Sequence, residues 1–107
     1  MIYHIIQPSQ WQKVMDRDSY KPESLKTEGF IHCSSKTQVL PTAKLYFSEA
    51  SELVVIGIVD KRVKNILKWE VSRDGEEFPH LYGPLPLSAV ETMDMIMRRP
   101  DGEWEWV

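Results

Sequence analysis

The chain holds a single cysteine, Cys33, which rules out an internal disulfide and any zinc-finger spacing. Long apolar runs are missing as well. The longest, residues 53–59, falls far short of the roughly 20 residues that a membrane-crossing helix needs. Basic charge is not in excess: 13 Lys and Arg face 16 Asp and Glu, a net charge of −3. Such a chain offers no general field for a nucleic-acid backbone, although a local nucleotide pocket remains compatible with it. There is no repeat, low-complexity tract or linker, so residues 1–107 read as one domain with one core. No secretory pattern opens the sequence, and with one cysteine the expected setting is reducing and cytoplasmic. The 42% hydrophobic and 27% charged content is that of an ordinary globular protein.

What the sequence does have is a concentrated stretch at residues 78–87, FPHLYGPLPL. Pro79, Pro84 and Pro86 each fix a backbone angle and remove an N–H donor, which argues against a helix or an ordinary central strand. His80 and Tyr82 lie two apart, so on an extended chain they share one side while Leu81 takes the other. Gly83 permits a bend or a close approach. The stretch is a stiff mount for an imidazole and a phenol; a proline-rich surface connection with an incidental histidine is the alternative.

Residues 1–6 read as a buried first strand. Ser9 with Gln12 has capping-box spacing, predicting a helix over 9–16 with Trp11, Val14 and Met15 on one face. A charged loop follows, with Ser24 opening one more helical turn before Gly29. Residues 30–33, FIHC, predict a second buried strand. Ser35 with Gln38 is another capping box, while Pro41 moves the start of the regular helix to about residue 40 or kinks it there, giving 40–48. Residues 53–60 are continuous and aliphatic, hence a central strand; residues 66–71 return as its antiparallel partner. Residues 72–77 are a polar loop around Asp74-Gly75. Residues 89–97 make a long strand with Met93, Met95 and Met97 on one face and Thr92, Asp94 and Ile96 on the other. Trp104 and Trp106 alternate with glutamates in a short edge strand or packed tail. Helices before a run of strands give an α+β order.

The chemistry available is mostly imidazole. His4, His32 and His80 all sit in apolar segments, where a ring without hydrogen-bond partners is costly. Three separate core positions would need three sets of partners; one shared cleft with Ser34 and Tyr82 satisfies them together. No pair of histidines has close ligand spacing, so no metal is expected. His32-Cys33-Ser34 spells the H-x-S of two-histidine phosphoesterases, but the second copy those enzymes need is missing. Cys33 alternates away from His32 and reads as a buried thiol, not a nucleophile. Glu70 interrupts an apolar strand end, either as a site carboxylate or as the exposed face of an edge strand.

IYH at the start, EGFIHCS around His32, KWE at Lys68–Glu70 and FPHLYGPLPLSAV from Phe78 to Val90 closely resemble domain-of-unknown-function family 952, in the same order over residues 1–90. That family looks like a compact relative of the ADP-ribosyltransferase fold. The resemblance implies a small α+β domain with a bent or split, mostly antiparallel sheet, two main helices and an NAD-gripping cleft. On this reading Tyr3 and His4 contact the ribose. Ser34 and Ser35 with helix N-terminal amides receive a phosphate. Tyr82 and Gly83 complete the binding wall, and His32, His80 and Glu70 are the catalytic candidates. The resemblance leans to an NAD-dependent ADP-ribosyl-transferring enzyme with a small nucleotide ligand and neither nucleic acid nor membrane as partner. A non-catalytic nucleotide-binding module and a histidine-dependent phosphoesterase or phosphotransferase are the other two readings, the last using imidazoles as acid and base.

Overall fold

The computed structural model describes residues 1–107. The strands are β1 (Ile2–Ile6), β2 (Ser19–Tyr20), β3 (Ile31–His32), β4 (Glu52–Ile58), β5 (Leu67–Val71), β6 (Glu77–Leu81), β7 (Leu85–Pro86), β8 (Val90–Arg98) and β9 (Trp104–Trp106). Three helices, α1 (Pro8–Val14), α2 (Glu23–Thr27) and α3 (Lys36–Tyr46), lie between the early strands. Every strand pair is antiparallel. One sheet has the order β1-β4-β8-β9, a second β3-β6-β5, and β2 pairs with β7 as a short ribbon. The result is an α+β domain, and no helix is long and apolar enough to cross a membrane.

Alternation along the strands builds two cores on the opposite faces of the four-stranded sheet. Ile2, Ile6, Val54 and Ile56 meet Ile31, Leu81 and Leu85 on one face. Ile5, Leu53, Val55 and Ile96 meet Val39 and Ala43 of α3 on the other. The expected division of β8 holds, with Ile96 fully buried in the second core and Met95 packed against the first. β4 is the apolar central strand. Its Gly57 is a close-approach position, since a Cβ there would stand 2.1 Å from Thr92 Oγ1 and 2.5 Å from Met1 Cε.

Several expectations need correction. The partner of residues 53–60 is not 66–71: β4 pairs with β1 and β8. Val63, fully buried in the connection after β4, carries the chain across to the other sheet instead of closing a hairpin. The first helix starts one residue early, at Pro8, with Gln7 as N-cap and no side-chain cap, because a proline at the first helical position competes with the Ser9 box. The third helix begins at Lys36, not near residue 40. The Ser35–Gln38 box is formed and Pro41 lies inside the helix, where it removes one hydrogen bond beyond the turn whose N–H groups are free anyway. The extra helical turn expected at Ser24 is present as α2, beside the two main helices, whereas residues 19–20 pair as a strand where a loop was expected.

The largest correction concerns Pro79. β6 is the central strand of its sheet, with β3 on one side and β5 on the other. The Cys33 N–H donates to the Pro79 carbonyl at 3.0 Å. In an antiparallel ladder a residue's N–H and C=O point the same way, so the missing donor faces the last residue beside β3, where pairing is ending. The β5 side of the ladder loses nothing. Pro79 is tolerated in the centre because its neighbour on that side is only two residues long.

Candidate functional site

The two sheets join along a narrow seam. Tyr3 on β1 faces Gly57 of β4 on one edge; on the other its N–H donates to the Ser34 carbonyl (2.8 Å) and its carbonyl accepts the Ser34 N–H (2.7 Å). Gln38 braces the far side. Its amide donates to the Glu77 carbonyl at 2.8 Å while its oxygen accepts the Ser35 N–H at 2.9 Å, so the start of α3 is tied to the start of β6. Between seam and helix opens a cleft of about 490 Å³, with His4, His32, Ser34 and His80 in its wall.

His32 and His80 are paired positions of β3 and β6, and their rings meet edge to face at 5.6 Å. Phe30, two residues before His32, stacks on His80 at 4.2 Å and tilts against His32 at 4.8 Å. Each imidazole has its own carboxylate: His32 Nε2 lies 2.9 Å from Glu28 Oε2, and His80 Nδ1 lies 2.8 Å from Glu70 Oε1. The same Glu70 oxygen accepts the Tyr82 hydroxyl at 2.5 Å. First the phenol and then the imidazole hold the Glu70 carboxyl below its ordinary range, so it is an ionised acceptor. Nδ1 of His80 must therefore carry the proton it donates. In the neutral ring that leaves Nε2 with a lone pair and no protein partner. His80 is 5% exposed and lines the cleft.

His4 has a different position. Nδ1–H donates to the His32 carbonyl at 2.6 Å and Nε2 accepts the Tyr20 hydroxyl at 3.3 Å. Both ring nitrogens are engaged, so His4 clips β1 to β3 and β2 while its ring forms part of the wall. Burial pulls its pKa from 6.5 to about 4. On acidification the unfolded chain takes up this proton first. Stability is therefore complete above about pH 6.5 and declines as the pH falls toward 4, by about 3 kcal/mol for this group. Glu70, depressed in its turn, adds a loss at still lower pH. Urea unfolding of wild type and His4→Gln at several pH values checks this: the variant should show a flatter profile between pH 6.5 and 4. Equal slopes for the two proteins would refute it.

The remaining site candidates divide clearly. Ser34 lines the cleft and its hydroxyl makes no bond within the protein. Ser35 is occupied as the cap of α3 and does not line the cleft. Tyr3 is half-buried at the seam, and Gly83 packs against Ile66, whose Cγ2 would be 3.2 Å from a Cβ there. Glu70 and Tyr82 stand behind His80 and orient it. Cys33 is buried, with its thiol pushed up by burial. The segment at 30–33 is not buried on both faces, since His32 is exposed. No three His, Cys, Asp or Glu side chains gather as a set that could hold a metal ion.

Three contributors were missed by sequence reasoning. Glu28 precedes His32 by four residues, but Gly29 ends the helix between them, so no helical spacing announces the pair. Phe30 reads only as an apolar strand residue. Arg73 reads as a charge in a polar loop, yet its guanidinium lies over the rings of Phe78 (4.8 Å) and Tyr46 (5.5 Å) and donates to Thr42 Oγ1 at 3.2 Å. Arg73, Thr42, Tyr46 and Phe78 all line the cleft, as does Glu28.

A family model described as Protein of unknown function (DUF952) matches residues 5–93. Among solved structures, the crystal structure of Protein CC0527 from Caulobacter crescentus is similar with a TM-score of 0.87 and 31% identity, covering 97% of this chain and 92% of that one. The solution NMR structure of CC0527 gives a TM-score of 0.81 and 32% identity, covering 95% and 89%. No curated protein matches the chain.

Proposed function

The chain belongs to the protein-of-unknown-function family DUF952, and we propose that its cleft binds a nucleotide of the NAD or ADP-ribose type and transfers the ribosyl group. The observation that carries this reading is the Glu70–His80 pair: an imidazole in the cleft wall, locked by a carboxylate at Nδ1 and with no protein partner at Nε2. A cleft of about 490 Å³ lies within the range of roughly 300–1,000 Å³ that ligand pockets span. Its aromatic rings and unpaired hydroxyls suit a ligand with one flat and one polyhydroxylated part.

NAD as substrate brings a C1′–N glycosidic bond whose nicotinamide leaves neutral, taking the bond's electron pair. Nε2 of His80 takes the proton of the acceptor O–H or N–H that forms the new bond to C1′. Glu70 keeps Nδ1 protonated and balances the imidazolium so formed, while Tyr82 keeps Glu70 ionised. On this reading the Ser34 hydroxyl and His32, both in the cleft wall, hydrogen-bond ribose hydroxyls. Glu70 acts through His80, since the oxygen that faces the ring is already taken by two donors.

The two carboxylate-held imidazoles 5.6 Å apart favour a second reading, in which His32 and His80 act as acid and base on a phosphoester. Thermal shift and product analysis with NAD, ADP-ribose and a 2′,3′-cyclic nucleotide separate the two. Stabilisation by NAD or ADP-ribose with release of nicotinamide from NAD is expected. Opening of the cyclic phosphate without nicotinamide release would establish the phosphoesterase instead. Stabilisation without turnover of either substrate would leave a binding module.

A further inference from the structure

We infer that Arg73 is the phosphate-reading residue of the cleft, so that its ligand must carry a phosphate or pyrophosphate and not only a nucleoside; this rests on the nucleotide reading above. The guanidinium has no carboxylate within ion-pair distance, whereas Arg99 in the same chain has two. One bond, to Thr42 Oγ1, is its only side-chain bond within the protein. The remaining N–H groups of the fork are free. A planar fork with open donors matches two phosphate oxygens.

The group is also held in place. Contact with the Phe78 and Tyr46 rings supports the cation through the ring faces, and the Thr42 bond fixes its rotation. Phe78 is buried on β6, Thr42 and Tyr46 lie on α3, and Arg73 reaches the cleft from the loop after β5, where it is half-buried. Two separate elements, α3 and β6, thus converge on one cation. The one acid that lines the cleft, Glu28, is engaged by His32.

Position along β6 fits the same ligand. Phe78 and His80 point to one side of the strand, two residues or about 7 Å apart, roughly the reach from a ribose 5′-phosphate to C1′. A phosphate at Arg73 and a ribose at His80 would thus lie in one cleft. Tyr46, which carries Arg73 on one side of its ring, is 65% exposed at the rim and offers its other face to the flat part of the ligand.

Calorimetric titration of wild type, Arg73→Gln and Arg73→Lys with ADP-ribose, inorganic pyrophosphate and nicotinamide riboside tests the inference. Arg73→Gln should weaken ADP-ribose and pyrophosphate at least tenfold, leave nicotinamide riboside unchanged and remove most of the salt dependence. Arg73→Lys, which keeps the charge but not the fork, should recover only part of the loss. Wild-type affinity for ADP-ribose in both variants would overturn the assignment while leaving the nucleotide reading intact. Pyrophosphate bound through Arg73 with no affinity for ADP-ribose would do the reverse. Failure of wild type to bind either phosphate compound would overturn both.

Discussion

His80→Asn lowers turnover by about 10²- to 10⁴-fold, the contribution a positioned acid–base group makes, with little change in melting temperature. Asparagine is chosen over alanine because His80 is buried and stacked on Phe30, so truncation would open a cavity and leave Glu70 with Tyr82 as its one remaining donor. The amide can still donate to Glu70, yet it has no lone-pair nitrogen to accept a proton. Glu70→Gln acts one step removed. It weakens the lock on Nδ1 and removes the charge that balances the imidazolium, so it lowers turnover less than His80→Asn and leaves ADP-ribose affinity nearly unchanged. A kinetic comparison of the two variants decides the matter. Unchanged turnover in His80→Asn would remove the imidazole from the chemistry.

Leu81→Ala destabilises the protein by about 2–5 kcal/mol, the usual cost of truncating a buried leucine. Leu81 is fully buried and packs in the core that joins the two sheets, with Ile31 and Leu85. For a domain of this size each kcal/mol moves the melting temperature by roughly 4–8 °C, so a fall of about 8 °C or more is expected. Val71→Ala, on the edge strand β5 and 68% exposed, should stay within about 0.5 kcal/mol. Urea unfolding measures both. A loss under 1 kcal/mol for Leu81→Ala would mean that the proline-bearing segment is a surface connection after all and not a central strand.

Much of this architecture is legible from residue pattern. Alternation puts His80 with Tyr82 on one side and Leu81 on the other; both polar side chains reach Glu70, and Leu81 is fully buried. The aliphatic run at 53–59 marks the centre of its sheet, and Ser35 with Gln38 marks a helix start. What the pattern does not carry is pairing. Nothing local to residues 66–71 says that they leave the sheet of β4, because that choice is made by the burial of Val63 and by β1 and β8 taking both edges. Pro79 misleads for a related reason: the rule against proline in central strands assumes a full-length neighbour on each side, and β3 is too short to need the donor. At the site, His32 and His80 meet because register places them opposite each other across 48 residues of chain. Arg73 is invisible because one ring partner, Tyr46, comes from a helix distant in sequence, and the other, Phe78, reaches it only through the turn that leads into β6. His4 carries the opposite lesson, since an imidazole in an apolar strand is a buried clip here, with both nitrogens used.

Titration of isotope-labelled protein with ADP-ribose, followed through the imidazole signals of the three histidines, tests the central claim most directly. Binding in the cleft predicts saturable shifts for His80 and His32, which face the ligand, and a much smaller change at His4, whose nitrogens are held by His32 and Tyr20. Silence of all three rings at millimolar ADP-ribose, or a shift confined to His4, would contradict it.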